Sequence, residues 1–269
     1  MRNQRSMIKT YHQADAEIHL ISQLIAKFNR TCVSKEEDDS HTNFYFDPLS
    51  SRLYGRWAEI GNKRLCLSFN LKEFAFELLD DSYSIHASVS AANDTIAKTE
   101  QMLAQKLSDL GVSEEDFRAD MHYEIPEFEF ADQPLEKWSR EKREIWTGIR
   151  ELANRSCFLV NGYLVANGEI RIWPHHFDTG VYNQPNAKRG LGFGMAVQDS
   201  MAGEAYFYFS GYSLNDETIA YSEKAKLTNG YWELSENWKG AILPISELEQ
   251  NAEEKVETFI KEVTPTLLG

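Results

Sequence analysis

Two of the seven histidines in this sequence are adjacent, and an aspartate follows two residues later. His175 and His176 stand in the segment Trp-Pro-His-His-Phe-Asp, which runs from Trp173 to Asp178. If that segment is extended, alternate side chains point to opposite faces, so that His176 and Asp178 share one face. An imidazole beside a carboxylate can ligate Zn, Fe or Mn, or act as a general base at neutral pH. His176 and Asp178 are therefore the predicted catalytic pair.

A metal version of this site requires ligands from more than one segment of the chain. The pattern His-x-Asp supplies two ligands at most, whereas catalytic zinc sites have three protein ligands. The candidate cofactor is a divalent transition metal, and its predicted ligands are His175, His176, Asp178, His41 and Glu204, with Asp199 as a further candidate. The structural alternative is that adjacent histidines beside a proline only make hydrogen bonds that support the fold. The remaining histidines are expected at the surface or as helix caps: His12, His19, His86 and His122.

Two later segments predict a pocket beside the histidines. Between residues 191 and 197, large side chains alternate with Gly192, Gly194 and Ala196, and such a bare strand face often marks the close approach of a ligand. Residues 204 to 210 alternate in the same way, with tyrosine hydroxyls and a glutamate on one face. If the two strands are neighbours, they form a shallow bay for a small molecule, the alternative being ordinary sheet packing. The predicted ligand-binding residues are Trp173, Gly192, Gly194, Tyr206 and Tyr208.

Periodicity in the sequence predicts the elements that must position these residues. Helices are predicted over 16–28, from a cap at Asn93 or Asp94 to Gly111, from Pro134 onward, and from a cap at Ser246 onward. Strands are predicted over 41–47, 52–60, 65–69, 74–79, 84–89, 158–166, 169–178, 190–197, 205–211, 231–234 and 239–245, with a hairpin turn at Gly61-Asn62.

Both halves of the chain therefore have the same order of elements, a helix, several strands and a helix. The predicted fold class is α+β, with two pseudo-repeated helix–antiparallel sheet–helix units whose helices pack against mainly antiparallel sheet. The predicted units are residues 1–112 and 134–269, joined by an ordered connector at 113–133 and packed as one globular body. An internal duplication would explain this order, and so would ordinary α+β chain order without a repeat.

Composition and charge exclude several classes of function. The formal net charge is −14, from 42 acidic and 28 basic residues, which disfavours nucleic-acid binding. No run approaches the roughly 18 apolar residues of a membrane span, and the polar N-terminus does not read as a secretory signal. The 3 cysteines are widely spaced and predict no disulfide framework. We therefore expect a soluble, cytoplasmic protein without a membrane or nucleic-acid partner.

The sequence resembles a family of bacterial proteins that has no assigned activity. The resemblance covers residues 41–245 and rests on Trp173 to Asp178, Gly192 to Met195, Asp199, Tyr206 to Tyr208, His41 to Asn43, Asp47-Pro48 and Trp238 to Leu243. The family tends to have Ser-Pro-Gly-Asp before its Tyr-Phe-Tyr strand, whereas this chain has Ala-Val-Gln-Asp at 196–199, so that a tight turn is lost. The resemblance implies where a site lies and implies no chemistry for it.

Two functional hypotheses from different classes follow. The first is a small-molecule or metal-binding protein or enzyme that uses the histidine and aspartate cluster. The second is a non-catalytic binding or interaction module, in which the sheet is a scaffold and exposed tryptophans dock a partner. The tryptophans predicted near strand or helix ends are Trp57, Trp173, Trp232 and Trp238. Under the second hypothesis His175 and His176 are structural residues.

Overall fold

The computed structural model of this chain describes residues 2–215 and 217–269. Within them lie five α-helices: α1 (Arg2–Cys32), α2 (Ile96–Ser108), α3 (Glu114–Arg118), α4 (Arg140–Leu164) and α5 (Ala252–Leu268). Among these residues no helix combines the length and the apolar character that crossing a membrane requires.

In the part of the chain that the structure describes, eleven strands form two antiparallel sheets, which confirms the predicted α+β class. The first sheet consists, in spatial order, of β1 (Tyr45–Asp47), β2 (Arg52–Ile60), β3 (Lys63–Asn70), β4 (Ala75–Asp80) and β5 (Ile85–Ser90). The second contains β6 (Arg171–Ile172), β7 (Thr179–Asn186), β8 (Arg189–Ala196), β9 (Tyr206–Ser213), β10 (Tyr231–Leu234) and β11 (Lys239–Pro244). Its spatial order is β10-β11-β9-β8-β7-β6.

Backbone contacts divide the chain into two compact units that are discontinuous in sequence. The N-terminal unit comprises Gln13–Thr147 and Ile172–Phe177, and the C-terminal unit comprises Met1–His12, Gly148–Arg171 and Asp178–Gly269. The predicted units were continuous in sequence, whereas α1 and α4 each contribute residues to both observed units. The internal duplication stays a prediction.

In the N-terminal unit, α1 lies close to the first sheet at Gly55. A Cβ atom at this position would lie 2.6 Å from Asn29 Oδ1 and 2.9 Å from Ile25 Cγ2, so the helix approaches only because β2 has a glycine there. The Asn29 side chain accepts a hydrogen bond from the Arg56 backbone N–H at 2.8 Å and donates one to the Asn43 carbonyl at 2.9 Å. These bonds join α1 to β2 and to the segment before β1.

In the C-terminal unit, α4 and α5 lie on the same face of the second sheet. Arg150 of α4 is fully buried and donates a hydrogen bond to Thr179 Oγ1 at 2.8 Å. A Cβ atom at Gly211 would lie 3.2 Å from a leucine of α5. Strand pairing aligns Thr179 with Met195 and Met195 with Phe207, which places Thr179 and Gly211 on one face.

The predicted strand at 158–166 is wrong, because residues 158–164 form the last turns of α4. The run Phe-Leu-Val at 158–160 favours a strand when it is taken alone. However, Trp146, Ala153, Cys157 and Val160 are all buried and recur at helical spacing, so one buried stripe continues along the helix. Packing along this stripe overrides the local strand preference.

Three predicted helix starts lie too early in the chain. The observed caps or first turns are at Thr95, Ser139 and Asn251, rather than at Asn93 or Asp94, Pro134 and Ser246. In two cases a hydroxyl decides the start: Thr95 Oγ1 accepts from the Lys98 N–H at 3.3 Å, and Ser139 Oγ accepts from the Lys142 N–H at 3.1 Å. The predicted helix at 16–28 lies inside the longer α1, and the connector contains α3.

The strand predictions are confirmed for β2 to β5, β8, β9, β10 and β11, including the hairpin that pairs Ile60 with Lys63 across Gly61-Asn62. Two others need correction. The segment 41–47 begins with a 3-10 helix at Ser40–Thr42, so only β1 is extended. In the segment 169–178 only β6 is a strand, and β7, which follows it, was not predicted because its polar second half contains Pro185.

Candidate functional site

The segment Trp173 to Asp178 forms a tight turn rather than an extended strand. Residues 174–176 are in turn conformation, and the Phe177 N–H donates to the Trp173 carbonyl at 2.6 Å. Phe177 has a φ of 56°, in the left-handed region that a bulky aromatic residue rarely adopts. The alternation that placed His176 and Asp178 on a common face is therefore wrong, since it requires extended backbone at every intervening residue.

Two side chains of α1 hold this strained turn. His19 Nε2 and Gln23 Nε2 both hydrogen-bond to the Pro174 carbonyl, at 3.0 and 2.9 Å. Because a carbonyl oxygen only accepts, His19 must carry its proton on Nε2. The His19 ring also stacks on Phe177, with centroids 4.9 Å apart and planes 9° from parallel. The contacts of α1 thus offset the cost of the left-handed Phe177.

The three predicted metal-binding histidines belong to the N-terminal unit but have different environments. His175 and His176 have ring centroids 4.2 Å apart; His176 is exposed and His175 is half-buried beside Tyr123, at 5.5 Å. His41 is buried, and its Nδ1 accepts a hydrogen bond from the Glu36 backbone N–H at 3.3 Å. His41 therefore acts as a structural acceptor for the loop before β1.

The predicted carboxylate ligands belong to the C-terminal unit and are engaged in hydrogen bonds there. Asp178 Oδ2 accepts from the Tyr208 hydroxyl at 2.6 Å. The Glu204 carboxylate accepts from both the backbone N–H and the hydroxyl of Ser246, each at 2.8 Å. Asp199 Oδ2 accepts from the Tyr206 hydroxyl at 2.7 Å. Across residues 2–215 and 217–269, no group of three or more His, Cys, Asp or Glu side chains is placed to hold a metal ion.

One face of the second sheet brings together most of the predicted ligand-binding residues. The pairing of β7, β8 and β9 sets Gly192 between Tyr182 and Ser210, Gly194 between Gly180 and Tyr208, and Gly190 beside Tyr212. These residues alternate with the large side chains that face the helices. We call this set the tyrosine-glycine face: Gly180, Tyr182, Gly190, Gly192, Gly194, Tyr208, Ser210 and Tyr212. Trp173 lies outside it, in the N-terminal unit.

The glycines let the tyrosine rings lie across the strand between them. A Cβ atom at Gly194 would lie 2.7 Å from the Tyr208 hydroxyl oxygen, and one at Gly190 would lie 2.7 Å from Tyr182 Cζ. Tyr182 and Tyr212 are 52% and 49% exposed, and their ring centroids are 6.1 Å apart. One end of the face therefore carries the two half-exposed rings of Tyr182 and Tyr212. The other end carries the hydrogen-bonded pair Tyr208 and Asp178.

Burial raises the pKa values of three polar side chains in this unit. It raises the pKa of Tyr208 well above its usual value, and the adjacent Asp178 carboxylate raises it further. The Tyr206 pKa is raised for the same reasons, with Asp199 as its hydrogen-bonded partner. Burial also raises the pKa of the Cys157 thiol. At neutral pH these groups are hydrogen-bond donors rather than nucleophiles or bases.

The raised pKa of Tyr208 predicts a loss of stability at alkaline pH. The folded protein keeps a proton that the unfolded chain releases above the ordinary tyrosine pKa of 10.0, so the free energy of unfolding falls as the pH rises past that value. We expect a loss of about 1.4 kcal/mol from this group at one pH unit above it. Urea denaturation near pH 8 and near pH 11 measures the loss, which should be smaller in Tyr208→Phe. If Tyr208→Phe lost as much stability between the two pH values as the wild type does, Tyr208 would not be the source of the loss. Tyr163→Phe is the control.

Sequence reasoning missed four residues that shape the turn at 173–178 and the tyrosine-glycine face. His19 and Gln23 are spaced one helical turn apart on α1, which is the only signal in the sequence that they act together. The expectation that His19 is a surface or cap residue is wrong, since it is only 3% exposed. Tyr182 lies in the unpredicted β7, and Tyr212 follows the predicted end of β9.

Comparison with known proteins gives no relative for this chain. No family model matches it, and neither a curated protein nor a solved structure does. The contacts of its own residues are therefore the basis for inferring a function.

Proposed function

We propose that this protein binds a small polyhydroxylated molecule, a carbohydrate, on the tyrosine-glycine face. The observation that supports this most directly is the pair Tyr182 and Tyr212, two half-exposed rings that lie over the glycines of β8 with their planes 53° apart. Aromatic faces exposed on a rigid sheet offer a flat apolar surface for the C–H face of a sugar ring.

Tyr182 and Tyr212 of the same face carry hydroxyls that can bond to a sugar, whereas Ser210 is buried. Ser210 Oγ and the Tyr212 hydroxyl lie 3.3 Å apart, and further along β9 the Tyr208 hydroxyl bonds to Asp178. Hydroxyls both donate and accept, and a carboxylate accepts from up to four donors. A mainly apolar surface with a few convergent polar groups is the usual composition of a small-molecule site.

The proposal is for binding without catalysis. The predicted catalytic pair His176 and Asp178 required an extended backbone, whereas the structure has a turn there. The Tyr208 hydroxyl remains protonated at neutral pH. The Tyr208 hydroxyl donates that proton to Asp178 and is therefore not placed to act as a general base.

Isothermal titration with methyl glycosides and disaccharides of glucose, galactose, mannose and xylose tests this proposal. We expect saturable binding of at least one sugar, weakened about 5–30-fold by Tyr182→Ala or Tyr212→Ala, because an aromatic contact contributes about 1–2 kcal/mol. Tyr163→Ala is the matched control, since Tyr163 is 47% exposed but lies on α4. If no sugar in the set binds, or if Tyr163→Ala weakens binding equally, the proposal fails.

A further inference from the structure

An apolar patch lies on the exposed side of the last two turns of α4, in the C-terminal unit. Phe158, Leu159 and Tyr163 are 58%, 39% and 47% exposed, and Val165, just beyond the helix, is 94% exposed. Residues 156–168 include no Asp, Glu, Lys or Arg, although 26% of the chain is charged. We call these four side chains the α4 patch. Contiguous exposed apolar side chains mark an interaction surface.

Gly162 lies in the middle of the α4 patch. Helical spacing places Phe158 on one side of it, and Leu159 and Tyr163 on the other. A Cβ atom at Gly162 would have no described atom within 4 Å, so the packing of this chain does not require a glycine there. Glycine inside a helix destabilises it relative to alanine. The close approach of a second backbone would explain the residue.

Val165 has a strained backbone that presents its side chain to solvent. Its φ of 52° is in the left-handed region, where glycine is the usual residue at a helix end and a β-branched residue is rare. The Ala166 N–H donates to the Asn161 carbonyl at 2.8 Å, and Asn161 Nδ2 donates to the Gly168 carbonyl at 2.8 Å. The chain is thereby fixed after Val165. Backbone strain of this kind is concentrated at functional surfaces.

The charges of the protein favour a second copy of this chain as the partner. Because the net charge is −14, two copies repel each other wherever their charged surfaces meet. The α4 patch carries no charge, and Arg155, which precedes it, pairs with Glu253 at 2.6 Å. Two such patches can therefore bury apolar surface without bringing like charges together. A membrane surface, by contrast, attracts helices with a basic polar face.

We infer that the α4 patch joins two copies of this chain through a two-fold, antiparallel pair of α4 helices. Its sequence order is self-complementary, because the pairs 158/165 and 159/163 are both centred at residues 161–162. A two-fold axis at this point places Phe158 of each copy against Val165 of the other. The two Gly162 backbones then lie at the helix crossing.

The area of the α4 patch determines the strength of this dimer. An aromatic side chain can bury about 150–250 Å², so four partly exposed side chains offer roughly 400 Å² per copy. Interfaces of standard size bury about 800 Å² per partner. We therefore expect a reversible dimer with a dissociation constant of about 10–200 µM.

Sedimentation velocity of the full chain, between about 5 and 500 µM, tests the inference. We expect the weight-average mass to rise from 31.0 kDa toward twice that value, and added salt to strengthen the association by screening the net charge. Phe158→Glu should weaken association at least about 10-fold, because it buries an unpaired charge. Ile85→Glu is the matched control, since Ile85 is 55% exposed but lies on β5.

Three outcomes would overturn the inference. The mass could stay at 31.0 kDa at every concentration, which would leave the α4 patch to a different protein. Ile85→Glu could weaken association as much as Phe158→Glu does. Finally, a monomeric protein could bind phosphatidylcholine vesicles and lose that binding in Phe158→Glu, which would assign the patch to a membrane surface.

Gly162→Gln tests the helix crossing separately from the apolar side chains. We expect a higher melting temperature, because a helix former replaces glycine, together with association weakened at least about 5-fold by the added bulk. Gly148→Gln is the matched control, since a Cβ atom there likewise has no described atom within 4 Å. It should raise the melting temperature without changing association. Wild-type association in Gly162→Gln would contradict the proposed crossing.

Discussion

Replacing Trp146 with alanine is expected to lower the free energy of unfolding by about 3–5 kcal/mol, the largest effect that we predict for a single substitution. Trp146 is completely buried in the N-terminal unit, where its ring meets Phe46 edge-on at 5.0 Å and Trp138 at 6.0 Å. Alanine would leave a cavity that these rigid aromatic neighbours cannot fill. Urea denaturation followed by circular dichroism measures the loss.

Trp146→Phe separates the packing of the ring from its hydrogen bond. The indole Nε1 donates to Asp15 Oδ1 at 2.8 Å, and Asp15 is only 3% exposed. We expect this variant to lose about 1–3 kcal/mol, the cost of removing a donor from a buried carboxyl acceptor. If Trp146→Ala cost less than 1 kcal/mol, the described packing around Trp146 would be incorrect.

Replacing Gly194 with alanine is expected to cost about 1–3 kcal/mol and to disrupt the tyrosine-glycine face. The new Cβ atom would lie 2.5 Å from the Thr179 carbonyl oxygen, 2.7 Å from the Tyr208 hydroxyl and 2.8 Å from Gly180 Cα. Two of these three atoms are backbone, so the strands themselves must separate. We therefore expect Tyr208 to leave its position, with a loss of sugar binding as well as of stability.

Gly192→Ala is the matched control two residues away on the same strand face. Its Cβ atom would lie 3.3 Å from Ser210 Oγ and 3.3 Å from Tyr212 Cε2, both of which are side-chain atoms that can move slightly. We expect a loss below about 1 kcal/mol. If the two alanine variants had equal stabilities, measured by urea denaturation, the close packing of Tyr208 over Gly194 would be refuted.

The sequence was sufficient to predict the parts of the fold that depend on local patterns. The β2–β3 hairpin was predictable because Gly-Asn stands between two strand-forming runs, and Gly61 has the positive φ of 61° that the turn requires. The glycine face of β8 and the tyrosines of β9 were predictable because their strict alternation determines which side chains share a face. The second half of α4 was not predictable from local patterns. Its residues favour a strand, and they form a helix because they pack against distant segments.

The extended backbone predicted at the histidines was wrong for a different physical reason. Phe177 adopts a left-handed conformation that its residue type does not predict, and the contacts that stabilise it come from His19 and Gln23, more than a hundred residues earlier in the chain. The sequence near Phe177 gives no indication of these long-range contacts. The tyrosine-glycine face was found only in part, since half of its aromatic surface lies in β7, whose polar residues and Pro185 do not resemble a strand.

The central claim, that a sugar binds at the tyrosine-glycine face, is tested most directly by ¹⁹F NMR of protein labelled with 3-fluorotyrosine. The chain has 12 tyrosines, and single Tyr→Phe variants assign their resonances. On addition of the methyl glycosides and disaccharides, we predict saturable shifts of the Tyr182 and Tyr212 resonances and none for Tyr163. Unchanged spectra with every sugar, or shifts confined to tyrosines outside the face, would contradict the claim.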